Sequence, residues 1–351
     1  MSRRALGYCF TFAALTAGVG WLFFENFAVD GWKNLQIVRR AKPLSQEVSS
    51  TTAAKPVIQS AFDASSPLPA NHPIPTTVQG RRTISVATFN MESFNQTKAR
   101  KFAVIDVYLR ILRQFDVIAL QEIQSDTDDL LPRLTSQLNS HGDTFDYVIG
   151  PRVGPKGMTE QLGFIFNLET VEIDRNALYS IDDRDNLLTR EPLVAWFRAR
   201  GVAADQAFTF SLVNVHVDPN RARDEIPVLR DIMFKVREDG RNEDDVIMLG
   251  DFAPGYRKRP ELIDIADIGW AIGTAPTLTD GSRSVDNIAF QKTSTVEFTG
   301  RAGVFDFLRE YNLSMEQAQE VSDHMPVFAV FSFFEGGELG RVALNPSNFA
   351  K

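Results

Sequence analysis

Apolar positions along this chain change their spacing repeatedly, and each change marks an element. The run over 84–89 has the β-branched and apolar make-up of a strand and ends at Asn90. Phe102, Ile105, Leu109 and Leu112 then recur at helical spacing. An apolar strand over 117–120 ends at Gln121-Glu122, and Leu131, Leu134 and Leu138 share one face of a helix predicted over 128–138. Further strands are predicted over 147–150, 162–167, 193–197, 208–217, 246–249, 285–290, 295–298 and 327–333, with a helix over 223–236. No internal repeat is present. Many strands and few helices in this order predict an α/β fold of the α+β type, two sheets packed face to face with helices outside.

Two stretches fall outside this pattern. Arg3 and Arg4 precede an uncharged run from Ala5 to Phe24, about 20 residues and long enough to cross a bilayer at 1.5 Å per residue. Trp21 lies near its far end, and Glu25 and Asp30 follow, which places the rest of the chain on the extracytoplasmic side by the positive-inside rule. An uncleaved anchor over 1–30 is therefore expected in preference to a cleaved signal peptide or a buried helix. Residues 31–82 carry runs such as Ser65-Ser66-Pro67-Leu68-Pro69 and read as a semi-extended tether, with His72 a solvated linker residue. The compact domain is expected over 83–334, and the glycine-rich segment 335–351 as a loose tail.

Composition narrows the chemistry. The chain has 37 Lys and Arg against 45 Asp and Glu, a net charge of −8, which excludes a globally basic nucleic-acid binder. A single cysteine, Cys9, excludes an intramolecular disulfide and a cysteine-based zinc cage. Of 4 histidines, His216 and His324 sit at strand edges, and His141 lies in a surface turn. The strand ends carry Asn90, Glu122, Asp251 and Asp323, all oxygen donors of the type a hard divalent cation takes. Imidazoles titrate near neutrality and suit proton transfer, provided each has an orienting carboxylate. Glu160 and Asp286 are candidates for that task. Tyr256-Arg257-Lys258-Arg259 and the pair Arg221 and Arg223 place cations on loops beside these motifs, where a phosphate backbone could be met. Each motif alone has an ordinary structural explanation; their order and spacing together point to phosphodiester hydrolysis.

That order resembles the endonuclease/exonuclease/phosphatase superfamily, and within it the deoxyribonuclease I branch. The matching runs are Thr88-Phe89-Asn90, Gln121-Glu122, Arg190-Glu191-Pro192, His216-Val217-Asp218-Pro219, Gly250-Asp251-Phe252, Ser284-Val285-Asp286 and Ser322-Asp323-His324-Met325-Pro326. The resemblance implies a four-layered sandwich and a magnesium ion, with calcium or manganese as alternatives. It implies that Glu122, Asn90, Asp251 and Asp323 hold the cation or the scissile phosphate. His324 would pair with Asp286 and His216 with Glu160, one imidazole acting as general base on water and the other as general acid on the leaving oxygen. Arg190 would approach the nucleic-acid backbone, with Asn287 and Tyr256 as further substrate contacts. DNA is the implied substrate, the N-terminal helix the membrane contact, and no obligate protein partner is implied.

The chain departs from the family pattern at two positions. Ala253 stands where an asparagine normally follows the Gly-Asp-Phe run, and Glu92 stands where an arginine would reach for DNA. Losing one preorganised donor of this kind costs about 10²–10³ in rate, a loss that Asn287 could offset. These departures keep two alternatives open: a hydrolase of phospholipid head groups or sugar phosphates on the same scaffold, and a catalytically weakened phosphate-binding protein.

Overall fold

The computed structural model describes residues 83–258 and 265–337. The expected anchor, the tether and the tail beyond Gly337 lie outside these residues, as does Arg259. Among the described residues no helix is long and apolar enough to cross a membrane.

The chain builds two six-stranded sheets. The first contains β1 (Thr83–Phe94), β2 (Val117–Ile123), β3 (Phe145–Val153), β4 (Glu160–Asn167), β11 (Phe298–Val304) and β12 (Val327–Ser332), in the order β11-β12-β1-β2-β4-β3. The second contains β5 (Val171–Ser180), β6 (Leu193–Ala199), β7 (Thr209–His216), β8 (Val246–Asp251), β9 (Ile268–Trp270) and β10 (Asp286–Gln291), in the order β5-β6-β7-β8-β10-β9. Each sheet has one parallel pair at its centre, β1 with β2 and β7 with β8. A parallel pair needs a crossover. Helix α1 (Phe102–Leu112) supplies it in the first sheet and α3 (Ala222–Arg237) in the second. The remaining helices, α2 (Leu130–Asn139), α4 (Phe307–Glu310) and α5 (Met315–Val321), pack with α1 outside the first sheet.

Three apolar clusters account for the layering. Phe164, Phe166, Phe197, Phe208, Phe210 and Phe331 fill the space between the sheets, with Phe208 and Phe210 stacked at 4.7 Å. Leu112, Leu120 and Leu134 join the first sheet to its helices, and Ile226, Leu229 and Met248 join the second sheet to α3. Helix α3 begins with Asp224 and Glu225 and ends with Lys235 and Arg237, charges that oppose its dipole at each end.

The inner strands and long helices match the sequence-based expectation within a few residues. Several features differ, the three-residue edge strand β9 among them. The strand expected over 295–298 begins only at Phe298, because residues 292–297 turn before it. Strand β5 escaped detection because it is an edge strand whose middle, Asp174-Arg175-Asn176, is exposed. The short helices α4 and α5 bury one and two side chains, too few for a period to register. The tail expected from Glu335 starts tied down, with Glu335 N donating to Gln206 O and Gly336 N to Glu297 Oε1.

Parallel order places the C-terminal ends of β1, β2, β7 and β8 at one rim. Asn90 stands opposite Gln121, and His216 opposite Asp251. Antiparallel β10 brings its first residue, Asp286, opposite Asp251 from the other side. Gln121 Nε2 donates to Asn214 Oδ1 at 2.6 Å, and Asn214 Nδ2 donates to Leu120 O and Gly163 O. These buried amides tie the two sheets together directly beneath the rim.

Candidate active site

Two buried imidazoles face a shared set of acids at this rim. His216 Nδ1 lies 2.7 Å from Glu160 Oε1, while its Nε2 points to Glu122 Oε1 at 3.9 Å. His324 Nδ1 lies 2.9 Å from Asp286 Oδ2, while its Nε2 lies 3.8 Å from Asp251 Oδ2 and 3.6 Å from Asp323 Oδ1. Each ring thus has its own carboxylate on one nitrogen, which fixes the tautomer and orientation and leaves the other nitrogen toward the site.

The backbone that presents these groups is strained or unusual at several points. Glu92, Ser93, Glu122 and Ala253 all adopt positive φ, at 45°, 52°, 60° and 62°. Such positions persist only where the surroundings over-determine them, and they cluster at functional sites. The turn at Glu122 aims its carboxylate back across β1, where Oε1 accepts from Asn90 Nδ2 and Oε2 from Ser93 N at 2.8 Å. Gly250 has φ 147°, and a Cβ there would lie 1.9 Å from Val215 O, so only glycine lets β8 deliver Asp251 beside His216. Asp251 Oδ1 accepts from Ala253 N at 2.7 Å.

The His324 loop is fastened from two sides. Ser322 Oγ donates to Asn90 O and accepts from His324 N, and Met325 N donates to Thr277 O. Thr277 Oγ1 in turn accepts from the amides of Val285 and Asp286. A third support is Lys98, whose Nζ donates to Met91 O and Glu92 O beneath the turn that presents Ser93. Ser93, Lys98, Asn214, Thr277 and Ser322 were not singled out as site residues from the sequence. Ser322 carried a signal, as part of its five-residue motif.

Charge is dense here. Burial raises the Asp251 carboxyl above its usual range and Asp286 raises it further, against the two histidines. Burial alone would lower His324, but Asp286, with Asp251 and Asp323 beyond it, pushes it up to about 10. His216 is likewise raised, burial being outweighed by Glu160 and then Asp251. Burial works to raise Glu122, yet His216, the Asn90 amide and Ser93 N bring it below the ordinary carboxylate value.

Several expected contacts are rearranged. The Asn90 amide is engaged at both ends, Nδ2 on Glu122 and Oδ1 accepting from Glu92 N, so it orients Glu122, while Oδ1 keeps a second lone pair. Arg190 turns inward, its Nε 3.0 Å from Glu160 Oε2, and backs the His216 pair instead of reaching outward. Tyr256 is 1% exposed beneath Phe252 and Trp270, and its hydroxyl accepts from Asn287 Nδ2 at 2.6 Å. Asn287 is 0% exposed, with Nδ2 also on Ile272 O and Oδ1 taken by Ile272 N and Ile288 N. Neither side chain reaches open surface, so neither touches substrate, and Asn287 cannot replace the donor missing at position 253. Of the loop cations, Arg221 is spent on the carbonyls of Asn186 and Leu187.

The residues present suit a divalent cation. Asp251, Asp286 and His324 place ligand atoms within 4.8 Å of one another, and Glu122 and Asp323 add carboxylates at the mouth. This donor set is hard oxygen with imidazole, and the lifted Asp251 carboxyl marks negative charge that a cation would relieve.

The sequence matches the Endonuclease/Exonuclease/phosphatase family over residues 87–252. Deoxyribonuclease gamma from Rattus norvegicus is 31% identical over 267 residues, covering 71% of this chain and 85% of that protein. Deoxyribonuclease-1 from Homo sapiens is 26% identical, covering 71% of this chain and 93% of its own length. The catalytic domain of human Nocturnin superimposes on 72% of this chain and 94% of its own at 14% identity, with a TM-score of 0.49. With its rim of paired imidazoles and acids, the chain belongs to the endonuclease/exonuclease/phosphatase family, in its deoxyribonuclease I-like superfamily, and is a phosphodiester hydrolase.

Proposed function

We propose that this protein is a divalent-metal-dependent endonuclease that cleaves DNA by a two-histidine mechanism. One observation carries the reading: His216 and His324 each bind a private carboxylate through Nδ1 and turn Nε2 toward the same acidic rim. One imidazole removes the proton from the attacking water and the other delivers a proton to the leaving oxygen, steps typically worth 10²–10⁴ each. Glu160 and Asp286 hold the rings in place and stabilise the imidazolium. Glu122, Asp251 and Asp323 would hold the cation, with magnesium the best match to a carboxylate set facing phosphate. When bound, the ion supplies positive charge to the phosphoryl oxygens. The names of the relatives, deoxyribonuclease gamma and deoxyribonuclease-1, support DNA as the substrate. The apolar run 5–24 supports a membrane-tethered form with the catalytic domain extracytoplasmic.

The test is a substrate panel with the full chain in detergent. Plasmid nicking in Mg²⁺ that stops with a chelator is the expected result. Hydrolysis of phosphocholine lipids or sugar phosphates with intact plasmid would replace DNA as the substrate. DNA binding without turnover under every metal tried would refute the catalytic reading.

A further inference from the structure

Helix α3 lies outside the second sheet, yet one of its side chains reaches both segments that serve His216. Glu225, in the first turn, is 1% exposed. Its Oε1 accepts from Thr189 N at 2.9 Å and from the Thr189 hydroxyl, and its Oε2 accepts from Asp218 N at 3.0 Å. Thr189 immediately precedes Arg190, and Asp218 closely follows His216. A carboxylate that merely capped its own helix would take the free amides of the first turn. Glu225 spends both oxygens on the two loops instead. Arg221 Nη1 approaches the same carboxylate at 3.9 Å, while its Nη2 holds the carbonyls of Asn186 and Leu187. The loop leading to Arg190 is thus fastened from Asn186 to Thr189.

From these anchor points a buried chain of contacts runs to the ring. Arg190 Nε lies 3.0 Å from Glu160 Oε2, and Glu160 Oε1 lies 2.7 Å from His216 Nδ1. The side chains of Glu160, His216 and Arg190 are 0%, 7% and 14% exposed. On the backbone side of His216, Val217 N donates to Asp251 O at 2.9 Å and Asp218 N donates to Glu225. The imidazole is therefore held through its main chain on one side and through Nδ1 on the other, and Glu225 stands behind both. Its own support is firm, because Ile226 and Leu229 of α3 are buried in the apolar cluster beneath the second sheet.

We propose that Glu225 and Arg190 are positioning residues for His216. Glu225 fixes the two segments that carry Arg190 and His216, and Arg190 fixes the carboxylate that orients the ring. The inference rests on the part given to His216 in the proposed mechanism. The need it meets is accuracy: a misplacement of about 1 Å can cost on the order of 10² in rate. A ring at the end of a strand is held that closely when its supports are themselves locked by packing and hydrogen bonds. Glu225 is too deep to touch substrate, and the guanidinium of Arg190, turned inward, acts on Glu160 and not on a phosphate.

Steady-state plasmid nicking by the full chain in detergent with Mg²⁺ provides the test. Glu225→Gln and Arg190→Gln should each lower kcat roughly tenfold and leave KM unchanged, and Arg190→Lys should recover part of the loss. Thr189→Val removes one donor to Glu225 and should lower kcat about threefold; it carries the test if Glu225→Gln does not fold. Double-mutant cycles separate positioning from a general weakening of the fold. In a His216→Ala background each change should cost less than about twofold, whereas in a His324→Ala background it should keep its full cost. Equal costs in the two backgrounds, or full activity in Glu225→Gln, would overturn the assignment. A raised KM with a flatter salt dependence in Arg190→Gln would return that arginine to the phosphates of the substrate and overturn its part. His216→Ala turning over at the unmutated rate would overturn the two-histidine reading itself; with His216→Ala impaired, failure of the cycles falls on the positioning residues alone.

Discussion

Ala253 holds a left-handed backbone at φ 62°, a conformation that costs an alanine about 1–2 kcal/mol and that asparagine tolerates better. Ala253→Asn should therefore stabilise the fold by roughly 1 kcal/mol, read as a higher urea midpoint at unchanged m. It should also raise kcat, by up to about 10²–10³, if the amide supplies the missing phosphate donor. A stability gain with kcat unchanged would separate the backbone effect from the chemistry. His216→Ala and His324→Ala should each lower kcat by about 10²–10⁴ with little change in KM, measured by steady-state nicking. Glu160→Gln should mimic His216→Ala in part, because the ring loses its carboxylate while Arg190 loses its partner. At this scale the histidines and their acids were legible, since strand ends concentrate chemistry. The direction of an amide was not. Asn90 and Asn287 stand beside the right motifs, but their partners come from Glu122, 32 residues away, and Tyr256, 31 residues away. No spacing rule encodes which neighbour an amide will satisfy.

At the scale of elements, the parallel pairs β1–β2 and β7–β8 decide where the site lies. Ligands in open α/β sheets gather outside the carboxyl ends of strands, and here both sheets obey that rule at one rim. Strands β2 and β8 were readable because they are buried on both faces and open on unbroken apolar runs, and β1 and β7 because apolar residues still dominate their buried lengths. Edge strand β5 and helix α5 were not, although α5 opens with a Ser314–Gln317 capping box that a search for local caps would have found. The Gln121–Asn214 link beneath the rim was invisible for another reason: it joins residues 93 positions apart in different sheets. Asn214→Ala should strand the Gln121 amide and two carbonyls, costing about 1–3 kcal/mol. Because β2 carries Glu122 and β7 carries His216, the same change should lower kcat. A lower urea midpoint with full activity would show that the link holds the sheets without setting the site.

At the scale of the whole molecule, buried acids couple stability to pH and, at the catalytic rim, to cations in a defined sense. Asp245 rises from 3.8 to about 9, Glu297 from 4.5 to about 7, and Asp251 is raised above 3.8. His324 rises from 6.5 to about 10. All four bind a proton more tightly in the folded state than in the unfolded chain. Each therefore contributes stability that is complete below its unfolded value and is lost as pH climbs through its folded value. Glu122, lowered from 4.5, acts in the opposite sense, and its contribution is lost only as the solution turns acid. In chelator, Tm should peak in the mildly acidic range and fall steadily from about pH 6 to pH 10. A divalent cation held by Glu122, Asp251 and Asp323 would replace the proton on Asp251 as the counter-charge, with an affinity that grows as the carboxyls ionise. Added calcium and magnesium should then lift Tm most at the alkaline end and flatten the decline. Melting curves across pH 5–10, with and without chelator, check this directly. A Tm that is level or rising between pH 6 and pH 9 in chelator would mean that the buried carboxyls find their counter-charge within the chain.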